Sequence, residues 1–186
     1  MPRLFTGLET PSDVTTELSL LRGGLSGARW IEPADYHLTL RFVGDVPREL
    51  ANDIAEGLAE IEAPAMTIRL DRLTVFGADK PRALIARATD NPALTALQAD
   101  HERLMRRLGA PADARKFTPH VTLARLRGVA ASAVGAYIEG RGDMWPLTFE
   151  ADRFVLYSSR ESAGGGPYRI EAVYPFDNGR ARGWAD

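Results

Sequence analysis

One four-residue pattern occurs twice in the chain, and it constrains the fold more than any other feature of the sequence. The pattern reads His, an apolar residue, Thr and Leu, and it begins at His37 and again at His120, 83 positions later. Both copies lie in apolar, β-branched segments with period-two alternation, which is typical of strands. Residues i and i+2 of a strand face the same side, so His37 is expected beside Thr39 and His120 beside Thr122. The pattern predicts two strands that each present an imidazole and a hydroxyl on one face.

The duplication decides between a structural and a functional interpretation of these histidines. A single His in a strand is more often a packed structural residue than a catalyst, and Thr suits the pleat of any strand. The chain contains only three His, however, and two of them occupy matching frames. Two matching frames favour a functional pair.

A second pair of segments extends the repeat beyond the histidines. Residues 67–76 align with residues 148–157 at an offset of 81, close to the offset between the two His. A fixed-offset repeat indicates related structural units. We therefore expect a single α+β domain over residues 1–186, with two intertwined, pseudo-twofold-related lobes, each an antiparallel sheet flanked by helices. Ligand pockets form preferentially at interfaces between such lobes, so the active-site cleft is expected between them.

Apolar periodicity and turn residues predict the order of the elements. Strands are expected from His120 onward and at residues 3–8, 28–31, 37–43, 66–76, 82–88, 147–158 and 168–174. Helices are expected at residues 12–22, 47–61, 92–108 and 130–139. His101 falls in the third helix among charged neighbours, which predicts a surface position. A glycine-rich loop at 164–166 precedes the last strand, and residues 177–186 are expected to form a mobile tail.

Composition narrows the class of partner. The 186 residues carry a net charge of -2, which argues against binding of long duplexes through many phosphates and leaves a small anionic substrate or one end of a nucleic acid. No Cys is present, so disulfides, thiolate nucleophiles and Cys-ligated metals are excluded. The sequence begins without a signal-like segment and contains no run of membrane-spanning length, so we expect a cytoplasmic monomer without membrane contact.

Two facing imidazoles form an acid–base pair. A neutral His takes a proton from an attacking oxygen while a protonated His gives one to a leaving oxygen. The hydroxyls of Thr39 and Thr122 donate hydrogen bonds to oxygens on which negative charge develops. In-line displacement at phosphorus requires this layout. A metal site is the chemical rival, but Thr is a poor ligand and no Asp, Glu or Cys accompanies the His at ligand spacing, so neither a metal nor another cofactor is expected.

The contexts of the two motifs resemble a known family. The chain resembles the 2H phosphoesterase superfamily, and specifically its RNA 2',3'-cyclic phosphodiesterase branch, also called the 2'-5' RNA ligase family. The resemblance covers nearly the whole chain and is carried by Arg3-Leu4-Phe5, Trp30, His37-Leu38-Thr39-Leu40-Arg41-Phe42-Val43-Gly44, Phe76, Pro81-Arg82, Phe117-Thr118-Pro119-His120-Val121-Thr122-Leu123-Ala124-Arg125, Ser158 and Gly166-Pro167-Tyr168.

The resemblance implies a bilobal α+β fold and metal-independent opening of RNA 2',3'-cyclic phosphate ends, or of small 2',3'-cyclic nucleotides, to 2'-phosphates. It also implies that His37 is the proton donor, that His120 is the proton acceptor, and that Arg125 contacts substrate. Ligation by the reverse chemistry and a non-catalytic module that binds RNA ends remain alternatives.

Further substrate-binding candidates follow from position. Strict alternation from His120 puts Ala124, and not Arg125, on the catalytic face, so Arg125 requires a bend in the strand or a less direct contact. Arg41 lies in phase with His37, which makes it a candidate, although an Arg that ends a strand is often merely solvated. Phe76 and Phe117 can stack a nucleobase, with core packing as an equal alternative.

Overall fold

The computed structural model of the protein describes residues 1–142, 145–159 and 166–176. Within these ranges the strands are β1 (Arg3–Glu9), β2 (Ala28–Trp30), β3 (His37–Asp45), β4 (Met66–Phe76), β5 (Ala83–Ala88), β6 (His120–Leu126), β7 (Leu147–Ala151), β8 (Arg153–Ser159) and β9 (Tyr168–Pro175). The α-helices are α1 (Ser12–Ser19), α2 (Arg48–Leu58), α3 (Pro92–Arg107) and α4 (Ala131–Glu139). The predicted tail at 177–186 and most of the predicted glycine-rich loop lie outside the described residues.

The strands form one antiparallel sheet, which confirms the predicted α+β class. Their order is β7-β4-β5-β6-β3-β1-β8-β9, and β2 pairs with the second half of β6. The two motif strands, β3 and β6, are neighbours at the centre of the sheet. The sheet is continuous, because β3 and β6 are joined through the Leu38–Val121 pair. The hydrogen bonding therefore defines one sheet, with a narrow junction between β3 and β6. The division into two lobes remains a prediction.

The register across two strand pairs supports the predicted internal repeat. Leu38 pairs with Val121, which lies 83 positions later, the same offset as between the two motifs. Ile68 pairs with Phe149 at an offset of 81, which is the offset of the second repeated segment. Antiparallel strands in which a residue faces its own counterpart have the geometry of a local twofold axis.

The predicted single strand at 147–158 is wrong, because the segment changes partners at Asp152. Residues before this position, in β7, pair with β4 at one edge of the sheet. Residues after it, in β8, pair with β1 near the opposite edge. The segment thus links the two halves of the sheet, and the break cannot be seen in its alternation pattern.

The four helices bury their apolar residues in one core with the sheet. Val14 of α1, Ile54 of α2, Leu97 of α3 and Val134 of α4 all belong to this cluster. Within the described residues, none of the helices combines the length and apolar character required to span a membrane.

The predicted surface position of His101 is wrong. Its side chain is fully buried, its Nδ1 donates to the carbonyl of Leu97 at 2.8 Å, and its ring meets the Phe154 ring edge-on at 4.6 Å. His101 follows Leu97 by four positions and precedes Leu104 by three, so it lies on the apolar stripe of α3. Of its charged sequence neighbours, Arg103 is exposed, whereas Glu102 is largely buried and pairs with Arg41.

Candidate active site

The two motif histidines begin their strands in the same way. His37 is the first residue of β3 and His120 the first residue of β6. Each ring turns back along the chain, so that Nδ1 of His37 lies 2.8 Å from the carbonyl oxygen of Asp35 and Nδ1 of His120 lies 2.6 Å from that of Thr118. A carbonyl oxygen only accepts, so Nδ1 carries the proton in both rings. The neutral tautomer therefore leaves Nε2 of each His as a proton acceptor.

Both threonines lie on the same cleft face as the histidines. Thr39 and Thr122 line a cleft of ≈ 560 Å³ together with His37 and His120. Thr39 also contacts the neighbouring ring, with its Oγ1 at 3.1 Å from Nε2 of His37. The structure thus brings the four motif side chains to one cleft, as alternation predicts.

A β-bulge at the same position of each motif explains why alternation fails farther along. The pairing of β1 with β3 passes from Thr39 to Arg41 and skips Leu40. The pairing of β5 with β6 passes from Thr122 to Ala124 and skips Leu123. A bulge adds one residue and reverses the facing of the side chains that follow it, up to the next irregularity of the strand.

The bulge brings Arg125 into the cleft. Ala124 is fully buried behind the sheet, whereas Arg125 is exposed and lines the cleft. This outcome answers the alternation problem raised by the sequence. In β3 the equivalent position belongs to Phe42, so the cleft is asymmetric, with an aromatic ring on one strand and a guanidinium on the other.

The expectation that Arg41 binds substrate is wrong, because the same bulge turns it away from the cleft. Arg41 is 2% exposed and pairs through Nε with Glu102 of α3 at 2.5 Å. Its Nη2 donates to the carbonyl of Pro111 at 2.6 Å, and its Nη1 donates to the carbonyl of Phe42. Arg41 therefore fixes the start of the irregular segment that leads to β6.

Aromatic side chains enclose both histidines. Phe76 meets the His120 ring edge-on at 4.8 Å, and Phe117 lines the cleft while packing against the core. His37 lies among Phe5 at 4.8 Å, Tyr168 at 5.0 Å and Tyr157 at 5.4 Å. Sequence reasoning missed this second group, because its members come from β1, β8 and β9.

Asp35 holds the start of β9 over His37. Its Oδ1 accepts a hydrogen bond from the Tyr168 amide at 3.0 Å. Gly166 has φ +80°, and a Cβ at this position would overlap the Asp35 carboxylate. Only glycine allows this approach without displacing the carboxylate. One acidic residue thereby positions both His37, through its carbonyl, and the aromatic ring above it.

Both histidines favour the neutral form in the unliganded cleft. Burial lowers the pKa of His37 to about 4, and the charges of His120 and Arg125 also lower it. The hydrogen bond to the Asp35 carbonyl acts in the opposite direction and raises it. Burial also lowers the pKa of His120, where the charges of Arg125 and Arg115 add to it. Cationic neighbours and burial both disfavour a protonated imidazole.

The described cleft is rich in cations. Its lining contains five basic and two acidic side chains, namely Arg3, Arg82, Arg115, Lys116, Arg125, Asp35 and Asp113. This positive cleft lies in a chain of net charge -2. Sequence reasoning did not single out Arg115 and Lys116, because the segment that carries them has no periodicity. Among the described residues, no group of three or more His, Asp or Glu side chains comes together as a metal site.

The family model and the relatives of known name agree on one family. The family model described as LigT like phosphoesterase matches residues 8–85 and 88–168. The RNA 2',3'-cyclic phosphodiesterase of Aquifex aeolicus is 32% identical over 147 residues, which cover 76% of this chain and 78% of the relative. A relative of the same name from Aeropyrum pernix is 34% identical over 100 residues, and the match spans 53% of this chain and only 57% of the relative.

Solved structures share the fold. Escherichia coli LigT in complex with 3'-AMP has a TM-score of 0.75 at 22% identity, with 95% of this chain and 99% of LigT covered. A protein of Thermus thermophilus has a TM-score of 0.76 at 24% identity, with the same coverage of 95% and 99%. These likenesses concern the antiparallel α+β architecture over nearly its full length.

Proposed function

The chain belongs to the family of LigT-like phosphoesterases, and on that premise we propose that it hydrolyses RNA 2',3'-cyclic phosphate ends to 2'-phosphomonoesters. We propose further that the reaction needs no metal ion, with His37 as the proton donor and His120 as the proton acceptor. The observation that carries the proposal is the pair of matched imidazoles in one cleft, each with Nδ1 bound to a carbonyl two residues earlier.

Two protons move in the proposed reaction. Neutral His120 accepts a proton at Nε2 from a water molecule, and the resulting hydroxide attacks phosphorus opposite the 3'-oxygen. The bond between phosphorus and the 3'-oxygen breaks as protonated His37 gives its proton to that oxygen. The products are a 2'-phosphomonoester and a free 3'-hydroxyl, so the water is fully accounted for. The two rings end in the opposite protonation states and exchange a proton with solvent before the next turnover.

The low pKa of His37 is compatible with a donor role if the substrate supplies the missing charge. In the unliganded cleft the ring is mostly neutral at pH 7 because of burial, and the charge of Arg125 acts in the same direction. A phosphate anion within a few ångströms favours the protonated form. Substrate binding would therefore favour protonation of His37. The ring would then carry a proton mainly while the phosphate that contains the leaving oxygen is bound.

The remaining cleft residues would bind the reacting phosphate and the base. The hydroxyls of Thr39 and Thr122 suit the non-bridging oxygens, because each lies beside the catalytic ring of its own strand. Arg125 would neutralise the developing charge, which its influence on the pKa of both histidines supports. Phe76 and Phe117 offer ring surfaces on which a nucleobase can stack.

The proposal is tested by product analysis on an RNA oligonucleotide that ends in a 2',3'-cyclic phosphate. The expected product carries a 2'-phosphate, which is distinguished from the 3'-phosphate isomer by chromatography against synthetic standards. A His37→Ala, His120→Ala double variant, purified in parallel, controls for contaminating nucleases. Formation of the 3'-phosphate, or equal turnover by the double variant, would refute the proposal.

A further inference from the structure

The strand register places cations at opposite ends of the cleft. β3 and β6 run antiparallel through the Leu38–Val121 pair, so the far end of β3 lies beside the segment that precedes β6. Phe42 of β3 and Arg115 of that segment meet at this end, with the Arg115 guanidinium 5.8 Å from the Phe42 ring centre. Arg125 lies at the other end of the cleft, near the end of β6.

Phe42 is flanked by two guanidinium groups. Arg3 lies 5.1 Å from the ring centre and pairs with Asp45 at 3.1 Å. Arg115 pairs with Asp113 through Nε at 2.8 Å and Nη2 at 2.6 Å. Cation–π contact and carboxylate pairing both restrict the orientation of a guanidinium. Within the described residues, Nη1 of Arg115 has no hydrogen bond to the protein, and the side chain is 71% exposed, so Nη1 can donate to an anionic ligand.

The segment that carries Arg115 is fixed from behind the sheet. Buried Arg41 donates to the carbonyl of Pro111, which lies near the start of the irregular stretch that continues through Arg115 and Lys116 to Thr118. At its other end the stretch supplies the Thr118 carbonyl that accepts from His120. Arg115 and Lys116 therefore belong to a segment that is held at both ends, and one of these ends is bonded to the ring of His120.

We propose that Arg115, together with Arg3 and Lys116, binds the phosphodiester immediately upstream of the cyclic phosphate. This inference rests on the proposed function and names its substrate class, which is an oligonucleotide end rather than a 2',3'-cyclic mononucleotide. The second phosphate lies one ribose away from the reacting one, so it requires cations next to the catalytic centre and separate from it. A mononucleotide lacks this phosphate and leaves the three cations at the Phe42 end without a ligand.

The test compares two substrates that differ by one nucleotide. The value of kcat/KM is measured for a dinucleotide ending in a 2',3'-cyclic phosphate and for the matching cyclic mononucleotide, and their ratio is the readout. We expect the wild-type ratio to be about 10 and the ratio of Arg115→Ala to fall several-fold, since a hydrogen bond to a charged group is strong but is weakened by solvent at an exposed site. Arg153→Ala is the matched control, because Arg153 is paired with Glu9 at 2.7 Å and does not line the cleft.

Salt provides a second readout. Each phosphate contact with a single strand adds about 0.7 to the slope of log affinity against log salt. The wild-type dinucleotide slope should exceed the mononucleotide slope by about this amount, and Arg115→Ala should remove the excess. A wild-type ratio of kcat/KM near one would overturn this inference and leave the proposed function standing. A ratio that falls in Arg82→Ala and not in Arg115→Ala would do the same. Absence of turnover of both substrates by the wild-type protein would overturn the proposed function with it.

Discussion

Binding of an anion in the cleft should raise the pKa of His37, and the size of the effect follows from the starting pKa and the usual influence of a nearby opposite charge. Burial lowers this pKa to about 4 in the unliganded protein, so at pH 7 roughly one ring in a thousand is protonated. An opposite charge within reach raises such a pKa by about 1–3 units, which brings it to roughly 5–7. The protonated fraction of His37 at pH 6 should then rise from about 0.01 to between about 0.1 and 0.9. Because the bound form takes up a proton, anion affinity should increase as pH falls from 7 toward 4.

The assay is a titration of the histidine ring resonances by nuclear magnetic resonance, with and without saturating sulfate, which keeps its charge throughout the titration. The chain has only three His, so the spectrum is simple and His101 serves as an internal control. Burial also lowers the pKa of His101 to about 4, but this ring packs on Phe154 and does not line the cleft. Saturation is followed on the backbone amides of Thr39 and Thr122. A His37 pKa that moves no more than that of His101 would refute the reasoning.

Three further kinds of perturbation test the site. His37→Ala and His120→Ala should each lower kcat by at least about 100-fold, and Thr39→Ala and Thr122→Ala should each lower it by about 10-fold. Circular dichroism that matches wild type shows that each variant is folded. Near-wild-type turnover by either folded His variant would contradict the proposed pair. Full activity should survive a chelator, since two imidazoles move both protons; loss of activity that a divalent ion restores would revive a metal mechanism. Arg41→Met should raise KM more than it lowers kcat and reduce the free energy of unfolding in urea by roughly 1–3 kcal/mol, because it removes the bonds to Glu102 and Pro111; a fall in kcat at constant KM would contradict a positioning role.

The motif side chains could be placed from the sequence because their geometry is local. Residues two apart on a strand share a face whatever the rest of the fold does, so His37 and Thr39 needed no knowledge of partner strands. The antiparallel partners could also be anticipated in part, because the repeat offsets of 81 and 83 match the registers of the paired strands.

Features that depend on a partner strand could not be placed. The bulges at Leu40 and Leu123 exist only relative to β1 and β5, and they decide that Arg125 enters the cleft while Arg41 leaves it. The break at Asp152 likewise reflects a change of neighbour and leaves the alternation intact. His101 is different, since its spacing from Leu97 and Leu104 carried the signal and its charged sequence neighbours hid it.

The central claim, that His37 gives a proton to the leaving 3'-oxygen and His120 activates water, is tested most directly by a substrate with sulfur at the bridging 3'-position. A thiolate leaves with little need of a proton, so the general acid becomes dispensable while the base does not. His37→Ala should recover most of its lost rate on this substrate relative to the matched oxygen substrate, and His120→Ala should not. Rescue of His120→Ala would reverse the two roles, and rescue of neither variant would contradict a donor role for His37.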